Sequence, residues 1–258
     1  MMDFRIEHIE NGAIFRLSRP DKLNSTTPAI WAGLEALLDE LETGGGRFLV
    51  VTGEGEKAFC AGTDLGSTTS LSADQVGDRC DQVRALLTRL SRSRLISVAA
   101  LNGLAYGGGL ELASACTFRV ALPHVRLSVP EIKIAAMPAY GGTQFLTSLL
   151  GRAVALDLLL TGRVVPADEA LRIGLVSRVV DGSTGIVDEA VALANSVCAH
   201  SAAAITAIRE AVSAADAGPA DDGMDREGVL ARQIFTSEDC REGTAAFLEK
   251  RAPRFTGR

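Results

Sequence analysis

The chain has 258 residues, of which 47% are apolar and 22% are charged. This length and composition are ordinary for one large globular domain, or for one domain with a smaller appendage. The net charge of −6 argues against a general nucleic-acid surface, so no nucleic-acid partner is expected. Five scattered cysteines, none in a C-x-x-C pair, predict reduced thiols in a cytoplasmic protein, and three distant histidines suggest no metal site.

The sequence also lacks the signals of membrane insertion and secretion. No stretch of 18 uninterrupted apolar residues occurs, and the first residues contain no apolar segment of the kind found in signal peptides. We therefore expect a soluble cytoplasmic chain with no membrane partner.

The N-terminal part of the chain predicts a hairpin, a helix and a buried strand. Asn11-Gly12 lies between two strand-like runs, and this dipeptide is the strongest short hairpin signal. Thr27 offers a helix N-cap, with Pro28 at the first helical position. The predicted elements are strands at 4–9, 13–17 and 48–52 and a helix over 28–41.

The middle of the chain alternates strands and helices, and its end is almost wholly helical. A Ser-, Thr- and Gly-rich loop over 66–73 is expected to be mobile, and a break in the helical end is expected near 218–223. This pattern predicts an α/β core over 1–195 and a helical region over 196–258. The further predicted strands are 96–101, 118–122, 125–129 and 175–180, and the helices are 74–92, 110–116, 141–150, 154–161 and 166–173.

Three consecutive glycines, Gly107–Gly109, carry the strongest chemical signal. They follow an apolar run and open a helical pattern, and they let the backbone turn where a side chain would clash. The start of a helix presents unpaired N–H groups at the positive end of its dipole. Glu111, in the first turn of this helix, therefore has two interpretations. It is either a reactive carboxylate beside an anion site or an ordinary helix-stabilising residue.

A second bend of small residues, 61–64, also follows an apolar run. One backbone N–H from each bend, aimed at one point, would polarise a carbonyl and stabilise an enolate or a tetrahedral oxyanion. Pro130 restrains the backbone beside Glu131. Glu111 and Glu131 near such a group could move protons to and from carbon and water without a metal.

Other catalytic patterns fit poorly. There is no G-x-S-x-G elbow and no phosphate-binding P-loop, and Cys60 has no nearby histidine in the sequence. The main rival is a dinucleotide site, since Gly107-x-Gly109 precedes Glu131 by about 20 residues. Leu112 argues against it, because the third position of that fingerprint needs Gly or Ala for close helix–strand packing.

Four motifs, in the same order and spacing, resemble those of the enoyl-CoA hydratase/isomerase, or crotonase, superfamily. The resemblance extends from about residue 4 to residue 255, and it is the combination that is specific. The motifs are Phe59-Cys60-Ala61-Gly62-Thr63-Asp64-Leu65, Asn102-Gly103-(x)3-Gly107-Gly108-Gly109-Leu110-Glu111-Leu112, Pro130-Glu131-(x)6-Pro138-(x)2-Gly141-Gly142-Thr143 and Glu238-Asp239-Cys240-Arg241-Glu242-Gly243-(x)3-Phe247-Leu248-Glu249-Lys250-Arg251.

The resemblance implies an α/β fold, the crotonase-like spiral of ββα units, with a C-terminal helical region that builds a homotrimer or homohexamer. It also implies an acyl-CoA thioester as substrate, with no separate cofactor because coenzyme A is part of that substrate. Position by position, the oxyanion hole would be the N–H groups of Thr63 and Gly108. Glu131 would give a proton to the α-carbon, and Glu111 would hold and activate the water that adds at the β-carbon.

The same resemblance implies a binding path for coenzyme A. Phe247 and Lys250 would reach it from a neighbouring subunit, although an ordinary helix residue and a solvated lysine explain these two equally well. The remaining positions of the path are Lys22, Leu23, Ala61, Gly62, Asp64 and Leu65.

The chain departs from the usual hydratase pattern at three places. Ala139 follows Pro138 where hydratases usually carry Gly close to the catalytic water, Thr63 stands where many have Ala, and 95–96 replace a frequent Lys-Pro. We expect an enoyl-CoA hydratase of fatty-acid or related acyl-CoA metabolism. The alternatives are an isomerase or another acyl-CoA lyase on the same scaffold, and a catalytically silent acyl-CoA-binding homologue. Both glutamates are retained, which favours the hydratase.

Overall fold

The computed structural model describes residues 2–67, 71–215 and 237–257. The chain divides into two compact units, Met1–Ala194 and Asn195–Arg258. The predicted helix break near 218–223 lies outside the described residues, as do residues 68–70 of the predicted mobile loop.

Short strands and helices alternate through the first unit. The strands are β1 (Phe4–Ile9), β2 (Gly12–Leu17), β3 (Phe48–Gly53), β4 (Ala58–Cys60), β5 (Ile96–Leu101), β6 (Leu104–Tyr106), β7 (Phe118–Ala121), β8 (Arg126–Ser128), β9 (Val165–Pro166) and β10 (Arg178–Val179). The helices are α1 (Pro28–Thr43), α2 (Ala73–Arg92), α3 (Gly108–Ala115), α4 (Gly142–Thr161), α5 (Ala167–Arg172) and α6 (Ile186–Cys198), and the second unit adds α7 (Ala202–Ala215) and α8 (Glu238–Glu249).

The described strands form two mixed sheets. The larger sheet has the order β1-β2-β3-β5-β7-β10, in which β1 and β2 are antiparallel and the other neighbours are parallel. The smaller sheet has the order β4-β6-β8-β9, with β8 and β9 antiparallel. The successive units β3-β4-α2, β5-β6-α3 and β7-β8-α4 each place one strand in each sheet. The predicted α/β fold built from ββα units is thereby confirmed.

Two strands that matter for the site were not predicted as separate elements. β4 and β6 have three residues each, too few to show a hydrophobic period. The two helices predicted over 141–150 and 154–161 are joined into one kinked helix, α4. The kink lies at Gly151, whose φ of 74° is not helical. Pro130, expected to restrain the backbone beside Glu131, begins a 3₁₀ helix, Pro130–Ile134.

Helix α4 is long and apolar enough to cross a membrane by length and composition alone. Its most apolar window has a mean hydropathy of 1.3, and 17% of that window is buried. Arg152 and Asp157 lie within the helix, next to exposed apolar side chains such as Leu156 and Leu160. Exposed apolar side chains that lie together are uncommon on the surface of a soluble monomer.

The corner between β5 and β6 is held by the buried side chain of Asn102. Its Nδ2 donates hydrogen bonds to the carbonyl oxygens of Gly55 at 2.7 Å and Ala58 at 3.0 Å. Its Oδ1 accepts a hydrogen bond from the N–H of Gly53 at 3.1 Å. Because Ala58 begins β4, these bonds fix β4 beside the β5–β6 corner.

Helix α3 approaches β4 as closely as a backbone allows. A Cβ built on Gly109 would lie 2.2 Å from the carbonyl oxygen of Cys60, well inside van der Waals contact. Only glycine permits this approach, which brings the start of α3 against the end of β4. The third glycine of the run is therefore needed for packing.

We predict that Gly109→Ala destabilises the protein by about 3 kcal/mol, because the added methyl meets backbone that must shift. Gly77→Ala is the matched control, since a Cβ at this exposed position in α2 would meet nothing within 4 Å. The control should be stabilised by about 0.5–1 kcal/mol. Urea denaturation measures both, and a Gly109→Ala protein as stable as wild type would contradict the described approach.

Candidate active site

The two small-residue bends predicted from the sequence lie side by side. β4 and β6 are parallel neighbours, with Cys60 opposite Ala105, so the chain leaves both strands in the same direction. A Cβ built on Gly62 would lie 3.3 Å from the backbone nitrogen of Gly108. Gly62 has a φ of 101°, which a residue with a side chain rarely adopts. The sheet therefore brings the bend at 61–64 against the start of α3.

The backbone N–H groups of Thr63 and Gly108 are unpaired within the part of the chain that the structure describes. The N–H groups on either side of Thr63 are occupied: that of Gly62 donates to Sγ of Cys60 at 3.4 Å, and that of Asp64 to the Thr26 carbonyl at 3.1 Å. Gly108 is the first residue of α3, where N–H groups have no partner inside the helix. The two predicted oxyanion donors are thus free on adjacent segments.

Glu111 projects from the first turn of α3 and is 2% exposed. Its Oε1 accepts hydrogen bonds from the backbone N–H groups of Tyr140 and Gly142, each at 2.8 Å. Burial raises the pKa of Glu111 to about 7, although these two hydrogen bonds act in the opposite direction. The carboxyl group therefore titrates near neutral pH in an orientation set by two backbone donors.

Glu131 lies in the 3₁₀ helix Pro130–Ile134 and faces the glycine before α3. Its Oε1 would be 2.8 Å from a Cβ built on Gly107, so a larger residue there would collide with the carboxyl group. Its Oε2 is buried and has no hydrogen-bond partner within the described residues. Burial raises the pKa of Glu131, and an unpartnered buried oxygen favours the protonated acid.

The two glutamates belong to one electrostatic site. The charge of Glu131 contributes to raising the pKa of Glu111, so the carboxyl groups are within electrostatic reach of each other. The fold thus gathers Glu111, Glu131, Thr63 and Gly108 around Gly107, although 68 positions of sequence separate residue 63 from residue 131.

The segments predicted to hold coenzyme A lie next to each other. The N–H of Ala61 donates to the carbonyl of Leu23 at 2.9 Å, and the carbonyl of Gly62 accepts from the N–H of Thr26 at 2.8 Å. Lys22 and Leu23 are both exposed beside this pairing. These contacts bring residues 22–23 alongside the bend at 61–64, as a shared binding surface requires.

Asp64 has a partner of its own. Its carboxylate pairs with the guanidinium of Arg19 at 2.8 Å, and this hydrogen bond holds the pKa of Asp64 below its usual value. Leu65 begins a short 3₁₀ helix, Leu65–Ser67, and its side chain lies outside the described residues. The Asp64–Arg19 pair therefore ties the bend at 61–64 to the loop before residue 20.

The other two predicted coenzyme A residues belong to the second unit. Phe247 lies in α8, and its side chain is outside the described residues. Lys250 follows α8, is exposed and has a φ of 54°. Their contact with coenzyme A stays a prediction.

Tyr140 belongs to the site but was not singled out from the sequence. Its hydroxyl group forms a hydrogen bond with Oγ1 of Thr63 at 2.8 Å, and its ring lies 2.9 Å from the Cβ position built on Gly108. It directly follows Ala139, which is half-buried, so the departure noted at Ala139 adjoins a residue that lines the site. Its place between Pro138 and Gly141 in a recognised motif was the available signal.

The chemistry of the site is that of carboxyl groups and backbone donors. Over residues 2–67, 71–215 and 237–257, no three His, Cys, Asp or Glu side chains are grouped to hold a metal ion. Burial raises the pKa of the nearby Cys60 thiol to about 12, so this thiol is not a nucleophile at neutral pH.

Comparison with known proteins identifies the family of the chain. The enoyl-CoA hydratase/isomerase family profile matches residues 9–258. The chain is 37% identical over 254 residues to a Mycobacterium bovis protein named probable enoyl-CoA hydratase, covering 98% of this chain and 97% of that one. It is 34% identical over 266 residues to a Zymoseptoria tritici protein named enoyl-CoA isomerase/hydratase, covering 97% of this chain and 85% of that one.

A solved structure agrees as well. The crystal structure of an enoyl-CoA hydratase from Bacillus anthracis superimposes with a TM-score of 0.93 at 31% identity and covers all of both chains. Such structural agreement along the whole length extends the match from motifs to the complete fold. The chain belongs to the enoyl-CoA hydratase/isomerase family and has the crotonase fold.

Proposed function

We propose that this protein is an enoyl-CoA hydratase, which adds water across the double bond of a 2-enoyl-CoA thioester. The observation that carries the proposal is the grouping of the buried Glu111 and the half-buried Glu131 with two backbone N–H groups that are unpaired within the described residues. This combination fits a substrate whose carbonyl oxygen gains negative charge while its β-carbon takes up the hydroxyl group of water and its α-carbon takes up a proton.

The N–H groups of Thr63 and Gly108 would stabilise the transition state. Addition of water to a conjugated thioester moves negative charge onto the thioester oxygen. Two backbone donors held by the β4–β6 pairing need no reorganisation to meet that charge. Removal of one such donor in comparable sites lowers kcat by about 10²–10³.

The surroundings of the glutamates suit them to different roles. Oε2 of Glu131 has no donor among the described residues, which favours the protonated acid that gives a proton to the α-carbon. Glu111 titrates near neutral pH because burial raises its pKa to about 7 against two backbone hydrogen bonds. In its ionised form, which those two bonds orient, it takes a proton from the attacking water. The hydroxide formed from that water bonds to the β-carbon, and the proton gained by Glu111 must return to Glu131 before the next cycle.

A double-bond isomerase on the same scaffold is the second candidate, because relatives carry both names. Ala139 supports it, since the methyl group stands where hydratases usually have glycine beside the water. Isomerases commonly use one acid/base residue, whereas this chain keeps Glu111 and Glu131 in electrostatic contact. The retained pair favours hydration.

The proposal extends to the binding of coenzyme A. The thioester would lie along Lys22, Leu23 and the segment 61–65, with Phe247 and Lys250 reaching it from a neighbouring subunit. The backbone pairing of residues 23 and 61 supports this path. The reaction needs no separate cofactor in this mechanism, and we place the protein in the cytoplasm.

We also propose that the chain forms a homotrimer or homohexamer. Exposed apolar side chains cluster where the 3₁₀ helix Pro130–Ile134 meets the end of α4, and a Cβ built on Gly162 there would lie 3.2 Å from Ile132. Burying this surface between copies would remove it from water. A mass of one chain by light scattering would contradict the proposal. The exposed side chains are Ile132, Ile134, Met137, Leu160 and Val164.

We predict that Glu111→Gln and Glu131→Gln each lower kcat for hydration of but-2-enoyl-CoA by about 10²–10⁴, because each removes one proton transfer. Binding of butyryl-CoA should be retained. The control, Glu35→Gln on the exposed part of α1, should behave as wild type. Hydration assays and calorimetry measure these effects.

The other outcomes of this experiment decide between the candidates. Hydration that persists in either glutamine variant would contradict the mechanism. A wild-type protein that moves the double bond of a 3-enoyl-CoA but adds no water would establish the isomerase. One that binds acyl-CoA and transforms none would establish the silent homologue.

We predict that Glu111 makes stability depend on pH. Because its folded pKa is raised from 4.5 to about 7, its contribution is complete below pH 4.5 and is lost as pH rises through 7. Wild type should lose up to about 3 kcal/mol between pH 5 and pH 8 relative to Glu111→Gln, which has no proton to lose. Denaturation at both pH values tests this, and a difference that does not change with pH would contradict the raised pKa.

A further inference from the structure

Tyr140 is attached to both halves of the candidate site. Its backbone N–H donates to Oε1 of Glu111 at 2.8 Å, and its hydroxyl group bonds Oγ1 of Thr63 at 2.8 Å. The ring therefore spans the distance between the carboxyl group and the bend that carries the first oxyanion donor. With 5% of the residue exposed, this ring has little freedom to move aside.

An aromatic contact holds the ring on another side. Trp31 of α1 packs against Tyr140 edge to face, with ring centroids 5.7 Å apart and planes at 79°. Such a pair adds packing specificity beyond the area it buries. Trp31 is itself 6% exposed, so the two rings form a continuous wall.

A groove between α1 and α2 reaches this wall. Its volume is about 680 Å³, and Trp31, Arg79, Val83 and Leu86 are among the side chains that line it. Arg79 and its neighbour Cys80 are also close enough to Tyr140 for their charges to affect the pKa of its hydroxyl group. Side chains of α1 and α2 that border the groove are thus neighbours of the tyrosine.

The path of an acyl group leads past this ring. If the thioester oxygen lies at Thr63 and Gly108, and the β-carbon lies at Glu111, the chain beyond the β-carbon continues beside Tyr140. The groove offers room for additional methylene groups. Trp31 lines this groove and packs against Tyr140, whose backbone N–H is bonded to Glu111.

We propose that Tyr140 is a specificity-determining residue whose ring closes the acyl pocket against the α1–α2 groove and restricts the protein to short acyl chains. This inference rests on the proposed function, because it takes an acyl-CoA thioester as the ligand. The packing of Trp31 holds the ring together with the hydroxyl bond to Thr63, and the bulk of the ring sets the limit.

The test measures binding of saturated thioesters, which cannot be hydrated. Calorimetry gives the Kd of butyryl-CoA and decanoyl-CoA for wild type, Tyr140→Ala and Tyr140→Phe. Wild type should bind butyryl-CoA at least as tightly as decanoyl-CoA. In Tyr140→Ala the ratio of the two Kd values should shift at least tenfold toward decanoyl-CoA, because each methylene group that leaves water for the opened groove strengthens binding.

Tyr140→Phe is the matched control, since it keeps the ring and removes the hydroxyl group. Its ratio should remain within about threefold of wild type, because removing a hydroxyl group leaves the apolar area that excludes the chain almost unchanged. An equal shift in both variants would overturn the role of ring bulk. Tyr140→Leu replaces the alanine variant under the same criterion if the latter does not fold.

Either of two results, one from wild type and one from the Tyr140→Ala variant, would overturn the inference. The first is tighter binding of decanoyl-CoA than of butyryl-CoA by wild type, and the second is an unchanged ratio in Tyr140→Ala. Failure of the proposed function can be distinguished from failure of this inference. A chain that shows the expected shift but hydrates no enoyl-CoA would contradict the hydratase and support the role of Tyr140.

Discussion

The parallel pairing of β4 with β6 is the constraint on which the candidate site depends. These two short strands set Cys60 beside Ala105, so the residues that follow them emerge together at one edge of the smaller sheet. The close approach at Gly109 and the hydrogen bonds of Asn102 hold this arrangement. Among the described residues, the N–H groups of Thr63 and Gly108 have no acceptor, so an oxyanion would find two donors already oriented.

The chemistry proposed for this site also depends on the burial of its two carboxyl groups. A carboxylate removed from water is destabilised, so the pKa values of Glu111 and Glu131 both rise. The surroundings then separate the two roles. Glu111 accepts two backbone hydrogen bonds, whereas Oε2 of Glu131 has no partner in the part of the chain that the structure describes. Because the folded protein keeps these carboxyl groups protonated near neutral pH, its free energy of unfolding falls at higher pH.

Much of the fold was predictable because long elements repeat their apolar residues with a clear period. The hairpin at Asn11-Gly12 and the helix beginning at Pro28 illustrate this, and both are confirmed. β4 and β6 were missed because three residues show no period. The bond between Tyr140 and Thr63 joins residues 77 positions apart, and only the folded chain reveals such a contact. The proximity of the two glutamates followed from the family resemblance, not from their spacing.

A crystal structure of the protein with bound butyryl-CoA tests the central claim most directly, because the saturated thioester occupies the site without reacting. We predict that the thioester oxygen accepts hydrogen bonds from the backbone N–H groups of both Thr63 and Gly108, at ordinary N···O distances of about 2.7–3.2 Å. We also predict that the α-carbon faces Glu131 and the β-carbon faces Glu111. A thioester oxygen bound elsewhere, with either N–H left unpaired, would contradict the account.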